Sequence, residues 1–276
     1  MIELKKVSFS YYLPDKVDVI KDINLTINNG EFVVIIGRNG SGKSTLGRLI
    51  SFILEPTEGE IFIDNKKIKV DIDYLEVRKT VGMVFQNPDN QIVSQIVEED
   101  VAFGLENLNY SEEEIKIKID NVLDEVGLAE FRKFPPHFLS GGQRQKLAIA
   151  GILVMEPKYL VLDEPTSLLD PKGRKDVIEL IKKLNKKGIT IILITHRMEE
   201  AILGNRVLVL NDGKIFLEGK PEEVFVQVDK IRSVGLTPPT LTYLSYLINK
   251  ENFNIDVRLW KLEEFKKEIS QLKLKV

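Results

Sequence analysis

The chain has 276 residues, 43 % of them hydrophobic and 29 % charged, with 39 Lys and Arg against 42 Asp and Glu for a net charge of −3. That is enough apolar material for one large core with a small appendage, and it excludes both a charge-driven disordered chain and a globally basic nucleic-acid binder. The absence of Cys excludes a disulfide framework, a cysteine nucleophile and thiolate metal sites.

Residues 1–36 read as β-rich. Ile2 to Tyr12 carries branched and aromatic residues, and Asn28-Asn29-Gly30 is a turn signal. Phe32 to Ile36 is a continuous apolar run ending at Gly37, which suits a strand covered on both faces. A helix is expected from Lys43 to about Leu54. Ser111-Glu112-Glu113-Glu114 resembles a capped helix start, and Ile115, Ile119, Val122 and Val126 then recur at helical spacing. Residues 96–134 read as an inserted helical subdomain, or as an ordinary helix pair on the sheet. Helices are predicted over Gly142–Met155 and Pro171–Lys187, and apolar strands over Tyr159–Leu162, Ile189–Ile194 and Val207–Leu210. From about Asp229 a tail carries Pro238-Pro239 and an amphipathic helix with Leu262, Phe265, Ile269 and Leu272 on one face. Alternation of strand and helix implies an α/β core.

No apolar stretch reaches the about 18–20 residues that span a bilayer. Met1 to Lys6 lacks the apolar core of a secretory signal. A soluble, cytoplasmic chain is expected, and service to a membrane process would need a partner that supplies the span.

Gly37-Arg38-Asn39-Gly40-Ser41-Gly42-Lys43-Ser44 fits G-x-x-x-x-G-K-[ST], after an apolar strand and before a helix. Glycines let successive backbone N–H groups point at one anion, and the helix adds the positive end of its dipole. Lys43 should reach the β- and γ-phosphates of a nucleotide, and Ser44 should ligate Mg²⁺. Leu160-Val161-Leu162-Asp163-Glu164-Pro165 puts two acids at the end of a buried strand, the edge where open α/β sheets bind ligands. Asp163 is expected in the Mg²⁺ shell and Glu164 on the attacking water. Leu139-Ser140-Gly141-Gly142-Gln143 opens a further helix and makes a second anion cradle. One triphosphate has one γ-phosphate. Two cradles on one chain therefore suggest a head-to-tail dimer, each nucleotide lying between one copy's Lys43 loop and the other's Ser140 loop.

With these motifs in this order, residues 1–225 resemble the ATP-binding-cassette ATPases. The resemblance implies an α/β fold: a P-loop NTPase core, an antiparallel β subdomain, an inserted helical subdomain over about 96–155, and a small C-terminal extension. It implies an ATPase domain over 1–228, with 229–276 either packing on its own domain or adding dimer contacts. It implies ATP and Mg²⁺ as ligands, with Gly37, Asn39, Gly40, Ser41, Gly42, Lys43, Ser44 and Thr45 on the nucleotide, and Ser140, Gly141, Gly142 and Gln143 on the partner's. Gln86 is similar to the loop glutamine that contacts Mg²⁺ and water, and His196 to the histidine on the γ-phosphate. Glu164, His196, Lys43 and Gln86 are thus the expected catalytic set, with Ser44, Gln86 and Asp163 on the metal. Ser167 to Asp170 resembles a loop crossing the dimer interface. Tyr11 matches the aromatic residue that stacks on adenine, with its neighbour Tyr12 as the alternative. His137 has no matching role and reads as a surface or packing residue.

Gln86-Asn87-Pro88-Asp89-Asn90-Gln91 and Glu98 to Gly104 narrow the resemblance to energy-coupling-factor transporter ATPases, as do Leu147 to Gly151 and Gly235-Leu236-Thr237-Pro238-Pro239. Those proteins power importers of vitamins or transition-metal ions. The implied partners are a second cassette, identical or not, a transmembrane coupling subunit and a substrate-binding membrane subunit, at the cytoplasmic face of the membrane. No nucleic-acid partner is expected. Other readings are the ATPase of another importer, a soluble cassette for DNA work, or a cassette that binds ATP without hydrolysing it. Asn205-Arg206 stands where relatives have Asp-Arg, which is expected to remove a local ion pair, and Leu168 stands where alanine is common.

Overall fold

Branched and aromatic residues favour extended backbone at the start of the chain, and the structure builds β1 (Ile2–Tyr12), β2 (Lys16–Ile27) and β3 (Phe32–Gly37) there. It is a computed structural model and describes residues 1–12 and 14–271. There follow α1 (Lys43–Ile50), β4 (Glu58–Ile63), β5 (Lys66–Lys67), α2 (Val70–Thr80) and β6 (Val81–Val84). The next stretch is helical: α3 (Val97–Glu106), α4 (Glu112–Val126) and α5 (Gly141–Leu153). Then come β7 (Tyr159–Asp163), α6 (Pro171–Lys186), β8 (Thr190–Ile194), α7 (Met198–Ala201), β9 (Arg206–Asn211) and β10 (Lys214–Gly219). The tail forms α8 (Pro221–Phe225), α9 (Val228–Ser233), α10 (Thr240–Lys250) and α11 (Leu262–Gln271). No helix among the described residues is long and apolar enough to cross a membrane.

The chain divides into two compact units, one of residues 1–32 and 44–194, the other of residues 33–43 and 195–276. In the first, β2, β1, β4 and β5 form an antiparallel sheet in that order. Gly59 is required in it, since a Cβ there would lie 2.3 Å from the Lys6 carbonyl. In the same unit β6, β7 and β8 are parallel neighbours, with Val84 opposite Leu162 and Asp163 opposite Ile194. Every residue of these three strands is buried, the pattern of a parallel sheet covered on both faces. Helix α1 lies close on them because residue 47 is Gly: a Cβ would meet Ile194 Cδ1 at 2.6 Å.

Ser111 caps α4 reciprocally with Glu114, and Gly127 ends it at φ +70°. Ile119, Val122 and Val126 are buried and Ile115 half-buried, so the helical spacing marks the packed face.

In the second unit β3 runs parallel to β9, with Gly37 opposite Leu210. The β9–β10 hairpin turns on Asp212-Gly213, both at positive φ, the type I′ geometry that fits strand twist. Arg206 Nη1 lies 2.6 Å from Glu218 Oε1 across this hairpin, so the arginine expected to lose an ion pair beside Asn205 finds a carboxylate on the neighbouring strand. In α11 Phe265 is buried while Leu262 and Ile269 are exposed. Leu272 lies outside the described residues.

Candidate functional site

The phosphate-loop sequence takes the backbone form its glycines allow. Gly40 and Gly42 sit at φ +81° and +100°, where an L side chain is strained. Gly37 is needed for space: a Cβ would stand 2.4 Å from the Leu210 carbonyl oxygen and 2.5 Å from Ser41 Oγ. Lys43 is buried, and its ammonium donates to the Gly37 and Arg38 carbonyls at 2.9 and 3.0 Å. Such charge-assisted bonds are worth ~1.5–3 kcal/mol each, enough to hold the lysine folded over its own loop. Ser41 Oγ is buried with no hydrogen-bond partner among the described residues. Asn39 is exposed.

Ser44 follows Lys43 in the chain and enters the first unit. Its hydroxyl donates to Asp163 Oδ1 at 3.1 Å, joining the first turn of α1 to the C-terminal end of β7. Asp163 is buried. The next residue, Glu164, has φ +48°, and its N–H donates to the Ile194 carbonyl at 2.9 Å. A non-glycine residue held there stores strain, a feature that clusters at active sites. This bend turns Glu164 toward Gln86, whose Nε2 donates to Glu164 Oε2 at 3.1 Å. The same amide is 3.4 Å from Ser167 Oγ, and Ser167 Oγ donates to the Glu164 carbonyl at 3.0 Å. Ser44, Asp163, Glu164, Gln86 and Ser167 therefore form one polar cluster at the C-terminal ends of β6 and β7.

Tyr11 also reaches α1. Its hydroxyl is 3.4 Å from Thr45 Oγ1, and its ring stands edge-on to Phe9 with centroids 4.8 Å apart. Tyr12, on the opposite face of β1, is 64 % exposed. Of the two aromatic candidates, Tyr11 is the one tied to the helix that follows the phosphate loop.

The Ser140 loop is a separate construction. Ser140 caps α5: its Oγ accepts from the Gln143 N–H at 3.3 Å, and its own N–H donates to Gln143 Oε1 at 2.8 Å. Residue 142 must be Gly because a Cβ would sit 2.9 Å from Gly173 Cα in α6. Among the described residues Ser140 and Gln143 bond to each other and not to Ser44, Asp163 or Glu164. Gly141 is half-buried and Ser140 is exposed, so this helix end faces outward.

In the second unit His196 is exposed on the turn after Thr195. That turn is braced by residues the sequence reading passed over. Thr195 Oγ1 donates to the buried Glu200 carboxylate at 2.7 Å and accepts from the Arg197 N–H at 3.0 Å. His137 is exposed, with its ring 4.4 Å from that of Phe138. The loop carrying Gln86 has its own braces. Gln91 Oε1 accepts from Phe85 N at 3.2 Å, while Gln91 Nε2 donates to the Met83 carbonyl at 3.3 Å. Buried Asp100 accepts from the Val93 and Ser94 N–H groups at 2.7 and 3.0 Å, and burial pushes its carboxyl above the usual range. In the sequence Asp100 stands beside Glu98 and Glu99 in the first turn of α3, and nothing there singles it out.

The donor set fits a magnesium nucleotide. Among the described residues no group of three or more His, Cys, Asp or Glu could hold a metal by itself. Ser44 and Asp163 instead offer a hydroxyl and one carboxylate, the sparse oxygen set that Mg²⁺ accepts when phosphates and water complete its shell. The unpartnered Ser41 hydroxyl and the space at Gly40, where a Cβ would meet nothing within 4 Å, fit an anion against the loop.

Comparison with known proteins agrees with this geometry. A family profile described as ABC transporter matches residues 20–167. The chain is 49 % identical over 267 residues to the energy-coupling factor transporter ATP-binding protein EcfA1 of Caldanaerobacter subterraneus subsp. tengcongensis, covering 96 % of each. It is 47 % identical over 254 residues to the EcfA protein of Methanocaldococcus jannaschii, covering 91 % of this chain and 90 % of the other. The structure of cbiO1 from Clostridium perfringens, part of the ABC transporter complex cbiONQ, superposes with a TM-score of 0.76 at 39 % identity, over 90 % of this chain and 98 % of that one. A dimeric ATP-binding cassette in a post-hydrolysis state with ADP and Pi superposes with a TM-score of 0.72 at 36 % identity, over 80 % and 98 %. The chain belongs to the ABC transporter ATPases, within the group of energy-coupling factor transporter ATP-binding proteins.

Proposed function

We propose that this chain is the ATP-binding and ATP-hydrolysing subunit of an energy-coupling factor importer for vitamins or transition-metal ions. The observation that carries the reading is the junction of Ser44 with Asp163 and of Gln86 with Glu164, at 3.1 Å in each case, directly after the phosphate loop. Lys43 releases its two loop carbonyls and binds the β- and γ-phosphates. Ser44, Asp163 and Gln86 would hold Mg²⁺, which supplies charge neutralisation on the phosphate oxygens. Glu164 orients the attacking water and accepts its proton, while Gln86 fixes the carboxylate in place. His196 and Lys43 stabilise charge on the transferring phosphoryl group. Tyr11 stacks on the adenine.

The outward-facing Ser140 helix end, with Gly141, Gly142 and Gln143, supports a role toward a nucleotide on a second cassette, identical or not. Each γ-phosphate then bridges two chains, and its hydrolysis opens them. Residues 1–228 form the ATPase domain, and 229–276 an extension that adds to the dimer contacts. The first unit also has a cavity of about 710 Å³ whose lining includes Leu75, Met83, Val93, Phe103 and Met155, with Leu75, Val93 and Phe103 exposed. An apolar cavity beside the Gln86 loop suits the coupling segment of a transmembrane partner. The chain then works at the cytoplasmic face of the membrane, and a separate membrane subunit selects the substrate.

The test is Glu164→Gln in every catalytic cassette of the complex. ATP binding should persist, turnover should collapse and closed dimers should accumulate. Undiminished turnover refutes the role of Glu164.

A further inference from the structure

Gln86 sits in a loop that behaves as one braced piece. Asn87 Oδ1 accepts from the Asp89 N–H at 3.0 Å and caps the short 3₁₀ turn Pro88–Asn90, and Gln91 ties both ends of the loop to the backbone of β6 and Phe85. The Ser140 cap is a second braced piece, held by its reciprocal bonds with Gln143. One side chain touches both. Arg144, in the first turns of α5, donates from Nη1 to the Leu139 carbonyl at 2.7 Å, immediately ahead of Ser140. Its Nε lies 3.0 Å from Asp89 Oδ1, three residues beyond Gln86. The arginine side chain is 30 % exposed and the aspartate 59 %. Both border a hollow of about 450 Å³ that Gln95 and His137 also line.

We infer that Arg144 is a positioning residue that couples the Gln86 loop to the Ser140 cap. The inference rests on the proposed reading of both loops as nucleotide-contacting elements. A guanidinium suits the task because its delocalised charge pairs with Asp89 while its Nη1 donates to the Leu139 carbonyl, whereas a lysine is a single point charge. A displacement of the Gln86 loop carries Asp89 with it, and Asp89 draws Arg144 and the Leu139 carbonyl. The Ser140 hydroxyl and the first N–H groups of α5 then shift against the phosphate they face. This route needs one ion pair and one hydrogen bond.

The experiment is a double-mutant cycle of Asp89→Asn and Arg144→Gln in the full-length protein assembled with its membrane subunits, with kcat and KM for ATP measured separately. Each single variant should lower kcat about two- to fivefold, the size a partly exposed ion pair supplies, with KM changed by less than about twofold. The double variant should be no slower than the slower single one. Arg144→Lys should fail to restore kcat, because one ammonium does not combine the ion pair with Asp89 and the hydrogen bond to the Leu139 carbonyl. Multiplicative losses overturn the inference, as does a KM rise at constant kcat. An unchanged kcat for Asp89→Asn overturns it alone, which keeps the test valid should Arg144→Gln fail to fold. Wild type and Glu164→Gln run alongside. Wild type without hydrolysis sinks the functional reading. Normal wild-type hydrolysis, abolished by Glu164→Gln, with multiplicative losses in the cycle sinks only the coupling.

Discussion

Gln86 Nε2 and Glu164 Oε2 lie 3.1 Å apart although 78 positions separate them in the chain. The contact exists because β6 and β7 are parallel neighbours whose C-terminal ends lie side by side, and because the left-handed φ of Glu164 swings its carboxylate across the edge. A donor held on this carboxylate fits the proposed role of Glu164 as a directed base rather than a surface acid. Gln86→Ala should therefore lower ATP turnover by at least about tenfold while nucleotide binding falls little. Gln86→Glu should be worse, since it sets one carboxylate against another. Steady-state hydrolysis and equilibrium nucleotide binding separate the two effects.

The phosphate loop offers two glycines that are required for different reasons. Gly37→Ala drives a Cβ to 2.4 Å from the Leu210 carbonyl, a backbone atom that cannot move alone. It should abolish nucleotide binding and cost about 1–3 kcal/mol of stability. Gly40→Ala meets nothing within 4 Å but must hold φ +81°, which costs about 1–2 kcal/mol. Binding of a fluorescent nucleotide and thermal unfolding should rank Gly37→Ala as the more damaging in both.

Helices α5 and α6 meet backbone to backbone at Gly142 and Gly173. Gly142→Ala places a Cβ 2.9 Å from Gly173 Cα. The expected loss is about 1–3 kcal/mol, read as a lower unfolding midpoint. Because the two sites share one contact, combining Gly142→Ala with Gly173→Ala should not give the sum of the single losses.

Asp64 accepts from the Met1 ammonium at 2.6 Å, from Lys158 at 2.9 Å and from the Tyr159 hydroxyl at 3.0 Å. The ammonium foremost, then the lysine, holds its carboxyl down at about 2 against an ordinary 3.8. The depressed acid contributes stability above the ordinary value. That stability is lost as pH falls through about 4 toward 2. The carboxylate is 38 % exposed, so solvent screening keeps the effect small. Asp64→Asn should lower the unfolding midpoint at neutral pH and flatten its fall between about pH 4 and pH 2 relative to wild type.

Ser111 carries the capping box of α4, with Glu114 returning the bond. Ser111→Ala should cost about 1 kcal/mol. Thermal unfolding checks it, and an unchanged midpoint would mean the helix is held by packing alone.

Local chemistry was legible in the chain wherever neighbours in sequence act together. Gly37 to Ser44 must curl because glycine alone tolerates its backbone angles, Ser140 must cap because Gln143 stands three residues on, and β7 must be buried because Leu160 to Leu162 is apolar on both faces. These features depend on spacing and residue type, so reading them needed no fold. The resemblance added Gln86, His196 and Tyr11, which spacing alone would not have singled out.

Only the tertiary structure could decide which distant groups meet. Ser167 enters the Gln86–Glu164 cluster, Glu200 braces the His196 turn, Arg206 pairs with Glu218 despite Asn205, and Arg144 reaches Asp89. The first and last join elements far apart in the chain, while the other two close a turn and a hairpin, and hydrogen bonds and ion pairs form within about 3–4 Å whatever the sequence separation. Residue type sets what a side chain is able to bond; the packing of strands and helices sets what comes within reach.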